Sequence, residues 1–278
     1  MNTIPVGKFV DKFVEWLLQN FGTIFDGISK GIEAFMGWTE TGLLVLPPLI
    51  FTIILSGIAW LLANKKIALF TFGSLVFVFY IGIWINFIQT FVLVLISAIF
   101  SLLIGLPIGI LCSKSQLLNR IVTPILDFMQ TMPPFVYLIP AAILFGIGEV
   151  PGVISTVVFS MPPAIRLTKL GLSQVPEDLI EAGNSFGLTP IQMLYKIKLP
   201  MAFPSIMAGI NQTIMLSLSM VVIASMIGAE GLGSQVLSAI QQMEVGIGFE
   251  AGLGVVIMAI ILDRITGSIT IKGRKKVN

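Results

Sequence analysis

FIQTFVLVLISAIFSLLIGLPIGILC runs from Phe87 to Cys112 without a charged residue. As a helix, its 26 residues would extend about 39 Å, more than the ~30 Å hydrocarbon core of a bilayer. Backbone groups find no water at that depth, so an apolar run of this length reads as a membrane-spanning helix. The rest of the chain repeats the theme. Its 278 residues are 56% hydrophobic and only 11% charged, where a soluble domain carries about 25% charged residues. The fold class expected is an all-α integral membrane protein.

Seven crossings are expected: Leu43 to Ala63, Ile67 to Trp84, Phe87 to Cys112, Ile125 to Gly148, Val150 to Ile165, Phe203 to Gly228 and Phe249 to Ile265. This divides the chain into an outer N-terminal segment (1–42), two accessory spans (43–86), a core (87–265) holding a polar excursion at 166–200, and a basic tail (266–278). With the N-terminus outside, 13 of the 16 basic residues fall on one side. They are Lys65, Lys66, Lys114, Arg120, Arg166, Lys169, Lys196, Lys198, Arg264, Lys272, Arg274, Lys275 and Lys276. Positive residues gather on the cytoplasmic side, so the expected topology is N-terminus out, C-terminus in. Trp38, Trp60, Tyr80 and Trp84 stand where interfacial anchors belong.

Composition excludes much chemistry. Histidine is absent, which removes the commonest general base and the usual metal clusters. The lone cysteine, Cys112, reads as a small buried hydrophobe. No GxxxxGK[ST] phosphate loop occurs. No catalytic residue, metal site or bound cofactor is expected in this chain. Among the few ionisable residues within the spans, Asp127, Asp263 and Arg264 lie near their inner ends. A self-sufficient ion-coupled transporter usually needs such groups near the midplane.

The N-terminal stretch places Phe9, Phe13, Trp16, Phe21, Ile24, Ile28, Ile32 and Phe35 at near-helical spacing. An amphipathic helix follows, lying on the outer membrane surface or packed on the protein's own flank. Its acids and lack of a long apolar core argue against a signal peptide. Ser101, Gly105 and Gly109 form a small-residue ridge for close helix contact. Met132-Pro133-Pro134 and Met161-Pro162-Pro163 are candidate paired kinks around a pathway, with ordinary helix packing as the alternative.

The polar excursion predicts two short helices. Pro176 suits a first helical position, with Glu177 and Asp178 complementing the positive helix end. Gly187 can stop that helix in a left-handed conformation. Thr189-Pro190 restarts one, and Pro200 is expected to end it at the membrane. Apolar residues at Leu179, Ile180, Phe186, Ile191, Leu194 and Ile197 leave each helix amphipathic, a pattern that more often marks a partner than a bare loop.

Glu181-Ala182-Gly183, three residues, Gly187, nine residues, then Ile197-Lys198-Leu199-Pro200 resembles the EAA loop of permease subunits in binding-protein-dependent ABC importers. Gly183 departs from the pattern, standing where alanine is commonest. The stretches DFMQTMPPFVYLIPAAILFGIGEVPGVISTVVFSMPPAIRLTKLGLSQVPEDLIEAGNSFG (127–187) and SLSMVVIASMIGAEGLGSQVL (217–237) look like the permease of glycine betaine and related quaternary-amine importers. Glu230 stands where relatives often have a smaller residue.

The resemblance implies a five-helix type I ABC importer core over about 87–265, preceded by two extra spans, in the bacterial cytoplasmic (inner) membrane. It implies a second permease copy (a homodimer), separate ABC ATPase subunits carrying ATP and Mg, and an extracellular solute-binding protein. Carried onto this chain, Glu181, Ala182, Gly183 and Gly187 would shape a coupling helix docked in the ATPase, and Ile197, Leu199 and Pro200 would fix its return to the membrane. The chain itself would not be an enzyme. Its function would be import of glycine betaine or related quaternary-ammonium compatible solutes for osmoprotection. The alternatives are an ABC permease for choline, an amino acid or a sulfonate, then a secondary transporter or a membrane scaffold.

Overall fold

The computed structural model describes residues 6–277, with the side chains of Val6, Lys8 and 270–277 left out. The tail cations Lys272, Arg274, Lys275 and Lys276 therefore lie outside the described side chains.

The described chain is helical almost throughout, with no strand. Helix α1 (Val6–Val45) has 40 residues, about 60 Å end to end. It is broken from α2 (Pro48–Leu62) by a 104° bend. Pro47 and Pro48 cause the break: neither has an N–H to donate, and each disfavours helical backbone at the residue before it. The first crossing expected at Leu43 to Ala63 is thus split at these prolines, its first residues belonging to α1. Asn64 then caps α3 (Lys65–Tyr80), its side chain accepting from the Ile67 N–H at 3.0 Å. With 15 residues in α2 and 16 in α3, these helices reach only about 22–24 Å and pack on each other as a hairpin.

Next come α4 (Trp84–Lys114), α5 (Gln116–Thr131), a 3-10 turn at Pro134–Tyr137, α6 (Leu138–Phe145) and α7 (Glu149–Ser173). After α8 (Glu177–Ser185) and α9 (Pro190–Met193), a π turn at Leu194–Lys198 runs into α10 (Leu199–Ser219) and α11 (Val221–Ser225). Helices α12 (Leu232–Gln242) and α13 (Val245–Val277) complete the described chain. Four helical stretches are long and apolar enough to cross a membrane, Trp84–Lys114, Glu149–Ser173, Pro190–Ser225 and Val245–Ile269, or up to six if each of two bent pairs counts as one span. The second bent pair is α5 with α6, turned by 110°. The crossing expected at Ile125 to Gly148 is therefore a broken element rather than one helix.

The core is a three-helix sandwich, α7 lying between α4 and α10. Small residues allow the close approach. A β-carbon on Gly109 of α4 would meet the Ile165 carbonyl and Thr168 Cβ of α7, each at 2.8 Å. On the other side, Gly209 of α10 faces the Pro163 carbonyl and Leu167, and Gly171 of α7 faces Ala202 and Ser205. The expected ridge Ser101-Gly105-Gly109 is thus the α4–α7 seam. At its Ser101 end the Ser101 and Ser160 hydroxyls share a hydrogen bond of 2.8 Å. Lipid tails are as apolar as leucine, so such seams hold by van der Waals packing and interhelical hydrogen bonds rather than by exclusion of water.

Trp84 is not an interfacial anchor. It is 8% exposed and packs against Phe51, Phe79 and Phe87, because the α2–α3 hairpin folds over the start of α4. Trp38, Trp60 and Tyr80 are exposed. Helix α1 takes the flank-packing alternative over its middle and second half. Met36 is fully buried, Phe25 packs edge-on against Phe145, and Phe35 against Phe100.

Candidate functional site

Residues 166–200 leave the membrane bundle at the end of α7 and return through α10. Pro176 sits one position earlier than expected, at the N-cap of α8 rather than inside it, so Glu177 and Asp178 begin the first turn. Carboxylates there complement the helix dipole.

The stop of α8 is a glycine turn. Gly187 has φ +71°. Its N–H donates to Asn184 O at 2.9 Å, and the Leu188 N–H donates back to Gly183 O at 3.1 Å, satisfying carbonyls that the helix end leaves open. Immediately afterwards Thr189 opens α9 with a reciprocal cap. The Thr189 hydroxyl accepts from the Gln192 N–H at 3.3 Å, and Gln192 Oε1 accepts from the Thr189 N–H at 3.0 Å. Pro190 takes the first helical position, where its missing N–H costs nothing.

Pro200 does not end the helix. It lies in the first turn of α10, and the chain stays helical from Pro190 to Ser219. The preceding π turn accounts for this: the Leu199 N–H bonds to Leu194 O, five residues back. The ladder is widened just before a residue that cannot donate.

The loop has a fixed inner face and an open outer one. Gly183 is buried; a β-carbon there would lie 2.6 Å from Met193 Cε and 2.8 Å from Ile197 Cδ1. Below it Leu172, Leu194 and Ala202 form a small core, with Ile110, Leu199 and Ile206 at its edge. Glu181 and Ala182 are exposed, as is Gly187, while Ile197, Leu199 and Pro200 are half-buried. Phe186 is 87% exposed, Ile191 68% and Tyr195 66%. The loop is thus held by its own core and presents large apolar side chains outward.

The two Met-Pro-Pro sequences behave differently. Met132-Pro133-Pro134 is the 110° break between α5 and α6, whereas Met161, Pro162 and Pro163 lie inside an unbroken α7. Close packing on both sides accompanies that continuity. Met161 faces Gly105 on α4, and the Pro163 carbonyl faces Gly209 on α10.

Three polar clusters escaped the sequence reading. At one end of the bundle the turn before α12 is tied to α4: the Leu232 N–H donates to the buried Thr90 hydroxyl at 2.8 Å, Asn86 Nδ2 to Gly231 O at 3.3 Å, and Gln89 Nε2 to Glu230 at 2.8 Å. Between α10 and α13, Asn211 donates to Asp263 at 2.9 Å and accepts from the Thr266 hydroxyl at 2.7 Å. Between α5 and α7, Arg166 pairs with Asp127 at 2.6 Å and donates to Gln130. Partners lying from 36 to 145 residues apart leave no local spacing to read. Among the described residues, no cluster could hold a metal ion.

This architecture defines a polytopic helical membrane protein with one amphipathic excursion whose outer face carries exposed apolar side chains. Residues 105–270 match the family described as the binding-protein-dependent transport system inner membrane component, and the chain belongs to that family. It is 52% identical to the glycine betaine transport system permease protein OpuAB of Bacillus subtilis, over 99% of this chain and 98% of that one. Identity to the glycine betaine/proline betaine transport system permease protein ProW of Escherichia coli is 45%, over 99% of this chain and 78% of that one. The fold is shared with a chain of the MetNI methionine ABC transporter in an inward-facing conformation, with TM-score 0.62 and 22% identity, covering 71% of this chain and 96% of that one. The type I ABC importer permease core is thereby shown, in a chain that is an inner-membrane transport component.

Proposed function

We infer that this chain is the permease subunit of an ATP-driven importer of glycine betaine or related quaternary-ammonium solutes, serving osmoprotection. The observation that carries the cargo is the 52% identity to a glycine betaine permease over 99% of this chain. Two copies would form the pathway. Separate ABC ATPase subunits would bind ATP and Mg, and an extracellular binding protein would deliver substrate. The N-terminus lies outside and the C-terminus inside, in keeping with the gathering of basic residues on one side.

The loop at 166–200 is the coupling element. Phe186, Ile191 and Tyr195 supply its exposed apolar contacts, and Glu181 and Ala182 lie on the adjoining exposed surface. Closure of the ATPase pair would move the docked loop and shift the bundle between inward- and outward-open states. Met132 to Pro134 would mark a bend beside the pathway, with the continuous α7 through Met161, Pro162 and Pro163 as its wall.

The test is uptake of labelled glycine betaine by vesicles holding this chain with its ATPase and binding protein. ATP-dependent uptake competed by proline betaine but not by methionine is expected. Uptake that proceeds without ATP would refute the coupling, and an ATP-driven system indifferent to betaine would refute the cargo.

A further inference from the structure

A cleft of about 570 Å³ lies between α5 and the ends of α4 and α7. Its floor is apolar, formed by residues such as Val122, Leu126, Ile165 and Leu170, and its polar groups include Arg166 and Lys169. Lys114 and Arg120 flank the α4–α5 turn, near Cys112 of α4 and Asn119 of α5, which line the cleft. Against these four cations, Asp127 is the one ion-paired carboxylate among the described residues, and it engages Arg166 alone. Lys169 is partly buried and makes no ion pair among the described residues. Asn119 accepts from the Thr123 hydroxyl at 3.1 Å, which leaves its amide N–H groups as further donors.

We propose that this cleft binds an anionic membrane lipid, its phosphate held by Lys169 and Arg166 and an acyl chain lying along the apolar floor. The two halves of the cleft match the two halves of such a molecule. A lysine whose stem follows an apolar wall brings its ammonium to the headgroup level, and Arg166 can bind a phosphate oxygen while still bonded to Asp127. Basic pockets between membrane helices on the cytoplasmic side are suited to acidic headgroups. The proposal rests on the orientation given above, not on the cargo, and its test needs no transport.

The full-length chain in detergent would be given phosphatidylglycerol bearing a photoreactive group on an acyl chain, and the cross-linked peptides mapped. Cross-links should concentrate on residues 112–126 and 165–173. They should fall about fivefold in Lys169→Gln, return in Lys169→Arg, and stay unchanged in Lys65→Gln at the distant α2–α3 turn. Unlabelled phosphatidylglycerol should compete where phosphatidylcholine does not; this competition on the unaltered chain decides the matter if Lys169→Gln fails to fold. Labelling spread evenly over the bundle, or unchanged by Lys169→Gln, would overturn the site. Displacement by millimolar inorganic phosphate would make it a free-anion site instead. Cleft labelling confined to monomers and lost in dimers would show that a second copy covers it.

Discussion

Gly183 lies directly beneath Met193: a β-carbon built on the glycine would stand 2.6 Å from the methionine Cε. The obstacle is the far end of a flexible side chain rather than backbone, and methionine repacks readily. Gly183→Ala is therefore expected to fold with a stability loss of no more than about 1 kcal/mol and to retain most transport. Gly183→Leu would force α8 off the loop's inner face and abolish transport. Thermal unfolding of the purified chain beside vesicle uptake checks both, and equal loss in the two variants would refute the account.

Gly187 makes the opposite demand. Nothing lies within 4 Å of a β-carbon there, and its φ is +71°, so the cost of substitution is backbone strain alone. For most residues that is about 1–2 kcal/mol, more for β-branched ones and less for asparagine. Gly187→Val should abolish transport while the protein still inserts and elutes normally, whereas Gly187→Asn should remain active. A transporting Gly187→Val would show that the turn is dispensable.

At the α4–α7 seam the obstacle is backbone. With the Ile165 carbonyl 2.8 Å from a β-carbon on Gly109, Gly109→Ala must spread two core helices, at about 1–3 kcal/mol. Gly73→Ala in α3 meets nothing within 4 Å and should gain up to about 1 kcal/mol from helix propensity. The thermal midpoints of the two variants should move in opposite directions.

Thr90 offers a hydrogen-bond test. Its hydroxyl accepts the buried Leu232 N–H at 2.8 Å. Thr90→Val keeps the shape and strands the donor, so a loss of about 1–3 kcal/mol is expected. Thr90→Ser should recover most of it. Equal stability of Val and Ser variants would mean that the N–H finds another acceptor.

Much of this was legible where the code is local. An uncharged run such as Phe87 to Cys112 announces a helix in lipid, and the sequence from Thr189 to Gln192 spells its own cap. The glycine stop at Gly187 was also readable, because φ is a property of one residue. Proline was harder. Pro133 breaks a helix while Pro162 and Pro163 do not, because α4 and α10 enclose α7 and no such pair encloses α5. Pro200 has the look of a terminator in the sequence, yet a π turn, not a stop, absorbs its missing donor. Trp84 looked like an anchor until the α2–α3 hairpin covered it, and the ties of Thr90 to Leu232 and Arg166 to Asp127 belong to the fold alone.

The helical path from Pro190 to Ser225, interrupted only by the turn at Met220, also has a mechanical meaning. Its 36 residues make a rod about 54 Å long. Turned by about 5° around its base, such a rod carries its tip nearly 5 Å, roughly the rise of one helical turn. Its tip leads into the turn that hydrogen bonds moor to α4, so a lever this long would end on a tether that limits its throw.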